Sequence, residues 1–398
     1  MLNRAEQVSM WALVASAGAL QFSIAVGQIL LAVAVACWLI TIVRQRERVE
    51  FPLMFWALIV YAALTVISAA CSPQPRVSLV DCKQLVLFLL VPMTYRLFTE
   101  SRAQTLISVV ISAGAASAAY GIFQFGILHY DSLGRRPHGT LGHYMTYSGL
   151  LMLVIGAALA RILFGQRERT WAALVMPALL VAVALTSSRN AWVGACAAAA
   201  LLFLLKDFRL LAVLPVVAAI FFGVAGPALT ARFVSIFDLN DPTRRDRFAM
   251  IHEGAHMIRD HPLVGVGPNM VEPLYPQYRV ADAVEKVVQH LHNVPVQIAA
   301  ERGLPALAAW LSFVVILLVD LSGRFRVREY RLLAATALAA VVSMLAAGMF
   351  EYNFGDSEFL MLFLILVTLP FAAARNRADA GPMSLLAGAT VPAGQHRR

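Results

Sequence analysis

Twelve apolar stretches separated by charged connections restrict the fold of this chain more than any other feature. They occupy residues 10–25, 28–43, 52–70, 84–98, 104–126, 144–163, 171–187, 190–205, 211–229, 303–320, 332–349 and 359–374. Their lengths suit a hydrocarbon core about 30 Å thick. None alternates with period two, so the spans are helices, which satisfy their backbone polar groups internally. Hydrophobic residues are 60% of the 398, charged residues only 14%, and mean hydropathy is +0.72, values that exclude a soluble globular domain. The apolar region 11–43 is too long for a cleaved signal core and has no A-x-A site behind it. It reads as two short spans broken near Gly27 and Gln28.

Charge sets the orientation. Alternate connections carry Arg44, Arg46 and Arg48; Arg96 and Arg102; Arg161, Arg167 and Arg169; Lys206 and Arg209; and Arg324, Arg326, Arg328 and Arg331. With Arg4, Arg375 and Arg377 at the ends, that side holds 17 basic residues, against five (Arg76, Lys83, Arg135, Arg136, Arg189) in short segments opposite. The bias places both termini in the cytoplasm. It also accounts for the net charge of +9 without nucleic acid as a partner. The expected organisation is a membrane domain of spans 1–9 over residues 1–229 and a periplasmic loop with short helices over 230–293. Spans 10–12 follow over 294–374, then a cytoplasmic tail over 375–398.

That loop contains five prolines (Pro242, Pro262, Pro268, Pro273, Pro276) and nearly balanced charges, seven basic against eight acidic residues. Residues 247–258 predict a short helix with Phe248, Ile251, Ala255 and Ile258 on its apolar side, ended by Asp260-His261-Pro262. A second, partly helical piece is expected over 271–288. The four cysteines lack metal spacing; Cys71 and Cys82 are near enough to pair if the loop 72–80 is extracytoplasmic, with free thiols as the alternative.

A few polar residues lie on the side opposite the positive-inside loops. Arg189 sits in the tight turn Ser187-Ser188-Arg189-Asn190, against the charge bias, and an anionic headgroup would compensate it through the guanidinium fork. A snorkelling or carboxylate-paired arginine is the alternative. In Asp241-Pro242-Thr243-Arg244-Arg245-Asp246-Arg247, Asp241 is a candidate cap and Asp246 lies in the first turn. Arg247 is the anion-binding candidate there, against a merely solvated loop. His290 and His292 precede an apolar helix and can exchange protons near neutrality, or be structural. Spaced two apart, they share no helical face and fit no metal pattern. Arg135-Arg136-Pro137-His138-Gly139-Thr140 is a cationic outer loop, and Phe350-Glu351-Tyr352-Asn353-Phe354-Gly355-Asp356 offers carboxylates to a sugar or an arginine. Trp192, Tyr275, Tyr278 and Tyr352 suit sugar stacking or a membrane border equally.

Together these segments resemble the O-antigen ligase/polymerase family of bacterial inner-membrane proteins. The similar parts are Ser188-Arg189-Asn190-Ala191-Trp192, Arg247 followed by His261-Pro262-Leu263-Val264-Gly265-Val266-Gly267-Pro268, and His292-Asn293 followed by Glu301-Arg302-Gly303-Leu304. Arg136 with Gly139-Thr140 extends the likeness, which runs from about residue 135 to 370. Asn190 and Leu291 stand where the family often has glycine and a small residue.

The resemblance implies an all-α polytopic membrane protein of about 12 transmembrane helices, a GT-C-type glycosyltransferase with a periplasmic loop over its active site. It would sit among the lipids of the bacterial inner membrane and move a glycan from undecaprenyl diphosphate to an outer-core sugar of lipid A–core. Transfer would proceed with inversion, without metal or cofactor. Arg189 and Arg247 would hold the leaving diphosphate, and His292 would orient or deprotonate the acceptor hydroxyl. Around these three catalytic residues, Arg136, His290, Asn293, Tyr275 and Glu351 are expected to contact substrate. One loop of about 64 residues and the short chain favour a ligase over an O-antigen polymerase or a protein O-glycan transferase. A transporter of an anionic lipid-linked substrate is the reading from another class, and no internal repeat supports it.

Overall fold

A computed structural model of the chain describes residues 2–46, 48–132, 134–224, 242–281 and 283–378, with Thr230, Ala231 and Val234. The described helices are α1 (Arg4–Ala19), α2 (Ile24–Gln45), α3 (Met54–Cys71), α4 (Pro75–Leu97, with a 3₁₀ stretch at Cys82–Leu89), α5 (Glu100–Gly126), α6 (Tyr144–Phe164) and α7 (Arg169–Leu185). Then come α8 (Arg189–Lys206), α9 (Val213–Val224), α10 (Pro242–Asp260), α11 (Val271–Tyr278), α12 (Val294–Arg326), α13 (Arg331–Gly348) and α14 (Ser357–Ala378). Among the described residues nine of these, α2–α6, α8 and α12–α14, are long and apolar enough to cross a membrane. α7 and the segment Phe208–Ile220 are apolar but shorter, and α1 has 16 residues. The protein is thus an all-α, multi-pass membrane protein.

Burial sorts the spans in a way hydropathy cannot. α6, α13 and α14 are enclosed along most of their length, whereas α2 leaves most of its apolar side chains exposed, as a lipid-facing helix does. The first break falls at residues 20–23, not at Gly27 and Gln28. Ser23 decides this: its side chain accepts the Val26 N–H at 3.3 Å and caps α2. Gly27 instead lies inside α2, where its lack of a side chain leaves room for Leu20. Ser9 and Ser16 donate to the carbonyls of Ala34 and Gly27, both at 2.7 Å, fastening α1 to α2. The four cysteines are free thiols, so the Cys71–Cys82 bridge is not formed.

Between α9 and α12 the chain builds a cap with its own small core of Met250, Met257, Val266, Met270, Val271, Tyr275, Val288 and Leu291. Helix α10 begins at Pro242, five residues before the predicted start, and Asp241, the expected cap, lies outside the described residues. Its buried face is Asp246, Ala249, Met250, Glu253 and Met257, so the predicted apolar face is displaced. Phe248 and Ile251 belong to the cavity described below. Among the described residues of the second piece, Val271–Tyr278 alone are helical. Beyond it, Arg279 closes a loop through the carbonyls of Ala283 and Glu285 (2.7 and 3.1 Å), and Asp246 accepts the N–H groups of Val284 and Glu285 (2.7 and 3.0 Å).

The cap is clamped to α12 by backbone. Gly303 departs from helical geometry at φ 83°, ψ 168° and divides α12. The carbonyls freed there accept from Val266 N–H (Ala300, 2.9 Å) and Gly267 N–H (Glu301, 2.8 Å), while Leu304 N–H donates to Pro262 at 2.8 Å. A Cβ at Gly265 (φ +67°) would lie 2.3 Å from the Glu301 carbonyl carbon, and one at Gly303 would lie 2.2 Å from Leu263 O. The glycines of the 261–268 motif therefore serve close backbone approach. Arg302 and Glu301 form a buried pair (2.7 Å) beside Asp81 (3.6 Å), behind this clamp.

Candidate active site

Three connections and the cap meet at one end of the bundle. The turn between α7 and α8 is rigid: Ser187 takes a left-handed φ of 54°, and the Trp192 indole N–H donates to Val183 O at 3.1 Å. Trp192 is thereby turned inward and buried, away from any stacking role. Arg189 is the first residue of α8, so the positive end of that helix opens where its guanidinium emerges. The loop before α6 is pinned by Gln124, which donates to Gly139 O (2.7 Å) and accepts from the N–H groups of His138 (3.1 Å) and Gly139 (2.9 Å). Arg136 projects from that loop over the Tyr144 ring, 4.2 Å from its centroid.

These constraints bring Arg136, Arg189 and Arg247 to the wall of one cavity of about 560 Å³, with Arg244 beside them. Among the described residues no carboxylate lines it, while Val193, Phe248, Ile251, Met349 and Phe350 give it an apolar side. Ser188 Oγ is buried in the same wall and accepts or donates no hydrogen bond within the described protein. Such a chamber can neutralise a polyanion and shelter hydrocarbon at once.

Directly after Phe350, Glu351 turns the other way. Its Oε1 lies 2.7 Å from His290 Nε2 and its Oε2 2.9 Å from His292 Nδ1. The imidazole rings are 4.2 Å apart. Residues two apart meet one carboxylate because His292 adopts φ 50°, a left-handed conformation that costs a non-glycine residue of order 1–2 kcal/mol. Burial alone would raise the Glu351 carboxyl, but hydrogen bonds and charge from His290 and His292 outweigh it and hold the group below the usual carboxylate range. Both carboxylate oxygens are thus committed to histidines rather than open to a sugar. One nitrogen from each ring and a Glu351 oxygen all lie within 4.8 Å of one another, a donor set that a divalent ion accepts. Sequence spacing hid it, because Glu351 is 59 residues from His292.

The remaining predicted residues are placed differently. Asn293 caps α12, accepting the Val296 N–H at 3.0 Å and donating to Met349 O at 3.1 Å, which orients the backbone behind His292. Tyr275 is buried in the cap core and is not among the residues lining the cavity. Burial, reinforced by Glu253, pushes its hydroxyl up to about 12. The arginine-rich wall also recruits Tyr144, Phe248 and Ile251, which sequence reading did not assign to the site. For the last two the signal was present: they are apolar residues on the helix that carries Arg247.

Residues 172–311 match a protein-family model described as O-antigen ligase. The matched segment includes most of α7, all of α8, the cap and the first half of α12. It therefore carries Arg189, Arg247, His290 and His292, whereas Arg136 and Glu351 lie outside it. A search of curated proteins found no match.

Proposed function

We propose that this protein joins a glycan from undecaprenyl diphosphate to an outer-core sugar of lipid A–core, at the periplasmic edge of a GT-C-type bundle of about 12 spans. The observation that carries the proposal is a single cavity shared by Arg136, Arg189 and Arg247, adjoining a histidine pair bridged by Glu351. The match of residues 172–311 to the O-antigen ligase family supports it. So does the charge bias, which puts this end of the bundle opposite the cytoplasm.

The leaving group is a lipid diphosphate whose charge grows as the glycosidic bond breaks. Guanidinium forks at Arg189 and Arg247, with Arg136 and the positive end of α8, stabilise that charge. The apolar wall accommodates the first isoprene units. On the acceptor side, Glu351 accepts the Nδ1–H of His292 and leaves Nε2 to take the proton from the attacking hydroxyl. The acceptor oxygen bonds to the anomeric carbon as the diphosphate departs from the opposite face, which inverts the centre. Arginines supply the positive charge, so the proposed step needs no metal.

The His290–His292–Glu351 donor set favours one competing reading, a divalent ion at this point. Purified protein in nanodiscs, given lipid-linked glycan and rough lipopolysaccharide in EDTA, separates the two. Glycan-bearing lipopolysaccharide should form, and His292→Ala should abolish it while lipid diphosphate still binds. Transfer that stops in EDTA and returns with added metal ion would overturn the arginine-based mechanism. Elongated lipid-linked glycan as the product would identify a polymerase instead.

A further inference from the structure

A second cavity, of about 220 Å³, lies against the first, with Met145 and Asn190 in the walls of both. Its polar lining comes from Thr146, Asn190, His290, Glu351, Asn353 and Asp356, and His143 and Tyr352 supply aromatic rings. We propose that this cavity is a binding subsite for a single pyranose ring, with Asp356, Thr146 and Asn353 as its hydroxyl-recognising residues. The inference rests on the transferase reading above and specifies where the sugar sits.

Size and chemistry both point to a sugar. The volume is below the about 300–1,000 Å³ of sites for drug-sized ligands, so it takes one ring and no longer chain. Asp356 is fixed in the wall by Thr146 Oγ1 (2.6 Å) and the Phe359 N–H (3.0 Å), both of which donate to it. The lining as a whole is a mixture of hydroxyl, amide and carboxylate groups beside aromatic rings, the partners that sugar hydroxyls and C–H faces use. Asn353 adds an independent sign. Its side chain is only 7% exposed and its Nδ2 donates to Met344 O at 3.1 Å, yet Oδ1 receives no hydrogen bond from the described residues. A buried acceptor left so costs stability unless something else donates to it. The position fits as well: His290 lines the wall, and the His292 ring is 4.2 Å from it, so a ring here lies beside the proposed base while a diphosphate occupies the arginine cavity.

Asp356 also caps α14, since it accepts the Phe359 N–H, and this structural role must be separated from recognition. Asp356→Ser keeps a capping oxygen but withdraws the carboxylate from the cavity. Thr146→Val removes one hydroxyl at constant shape. Full-length protein in nanodiscs is titrated with undecaprenyl diphosphate, undecaprenyl-diphosphate-linked N-acetylglucosamine, and rough lipopolysaccharide. Each variant should weaken a sugar-bearing ligand about tenfold and leave undecaprenyl diphosphate within about twofold. Loss confined to the linked N-acetylglucosamine assigns the ring to the donor; loss confined to lipopolysaccharide assigns it to the acceptor. Unchanged affinity for both sugar-bearing ligands, or equal weakening of all three with a lower melting temperature, overturns the subsite. If the parent protein binds none of the three, the transferase reading fails and the subsite falls with it.

Discussion

Replacing Glu351 by glutamine tests the chemistry proposed for His292, because shape is kept while the negative charge and one acceptor oxygen are lost. The carboxylate now receives three bonds, at 2.7 Å from His290, 2.9 Å from His292 and 3.1 Å from the Tyr352 N–H. Glutamine offers one acceptor oxygen and one NH₂ group, so one imidazole must turn a bare nitrogen toward the amide. Because the Tyr352 N–H also needs the oxygen at the Oε1 position, the NH₂ takes the Oε2 position and His292 is that ring, so its proton moves to Nε2 and the base is lost. Loss of general-base catalysis costs roughly 10²–10⁴ in rate, about 3–5 kcal/mol of barrier. Single-turnover transfer of radiolabelled glycan to rough lipopolysaccharide measures this, with undecaprenyl diphosphate affinity and melting temperature followed in parallel. The expected result is slow transfer with donor affinity nearly unchanged, since Glu351 is not in the arginine cavity. Transfer at the parental rate would refute the role given to the pair.

Three further outcomes follow from the geometry. Arg189→Lys and Arg247→Lys keep charge but lose the fork, so each should weaken undecaprenyl diphosphate about tenfold in a titration at fixed salt. Gly265→Ala sets a Cβ 2.3 Å from the Glu301 carbonyl carbon at φ +67° and should destabilise the cap by roughly 2–4 kcal/mol, read as a lower melting temperature and faster proteolysis near residues 242–281. Burial raises the Glu253 carboxyl above its ordinary value of 4.5, with partial relief from the Val280 N–H, Tyr275 and Arg279. Its contribution is therefore complete below 4.5 and is lost as pH climbs through the raised value. Glu253→Gln should melt at a higher temperature than the parent at neutral pH, with the difference vanishing near pH 4.

Much of this site could be read from residue types and little of its geometry. Arg189 stood out because a guanidinium in a connection opposite the arginine-rich ones runs against the charge bias, and that argument needs no coordinates. The partnership of His290, His292 and Glu351 depends on α12 and α13 packing side by side and on a left-handed His292, which no local periodicity encodes. Likewise, the apolar residues of α10 could be identified but not their direction. Phe248 and Ile251 face the arginine cavity while a face containing Asp246 and Glu253 is buried, where backbone N–H groups of the following loop donate to one oxygen of each acid. Hydropathy also finds α2 and α14 equally well, although one is largely exposed and the other enclosed, since lipid and neighbouring helices select the same residues. Gly27 misled for a related reason: a glycine that lets two helices touch has the same letter as one that breaks a helix.

The arginine cavity is tested most directly by a cryo-EM structure of the protein with undecaprenyl diphosphate. Phosphate density should lie within hydrogen-bond reach of both Arg189 and Arg247, with Arg136 alongside and the polyprenyl chain leaving past Phe248 and Ile251. Density instead at the opposite end of the bundle, in the cavity lined by Arg48, Arg96 and Arg375, would contradict the account.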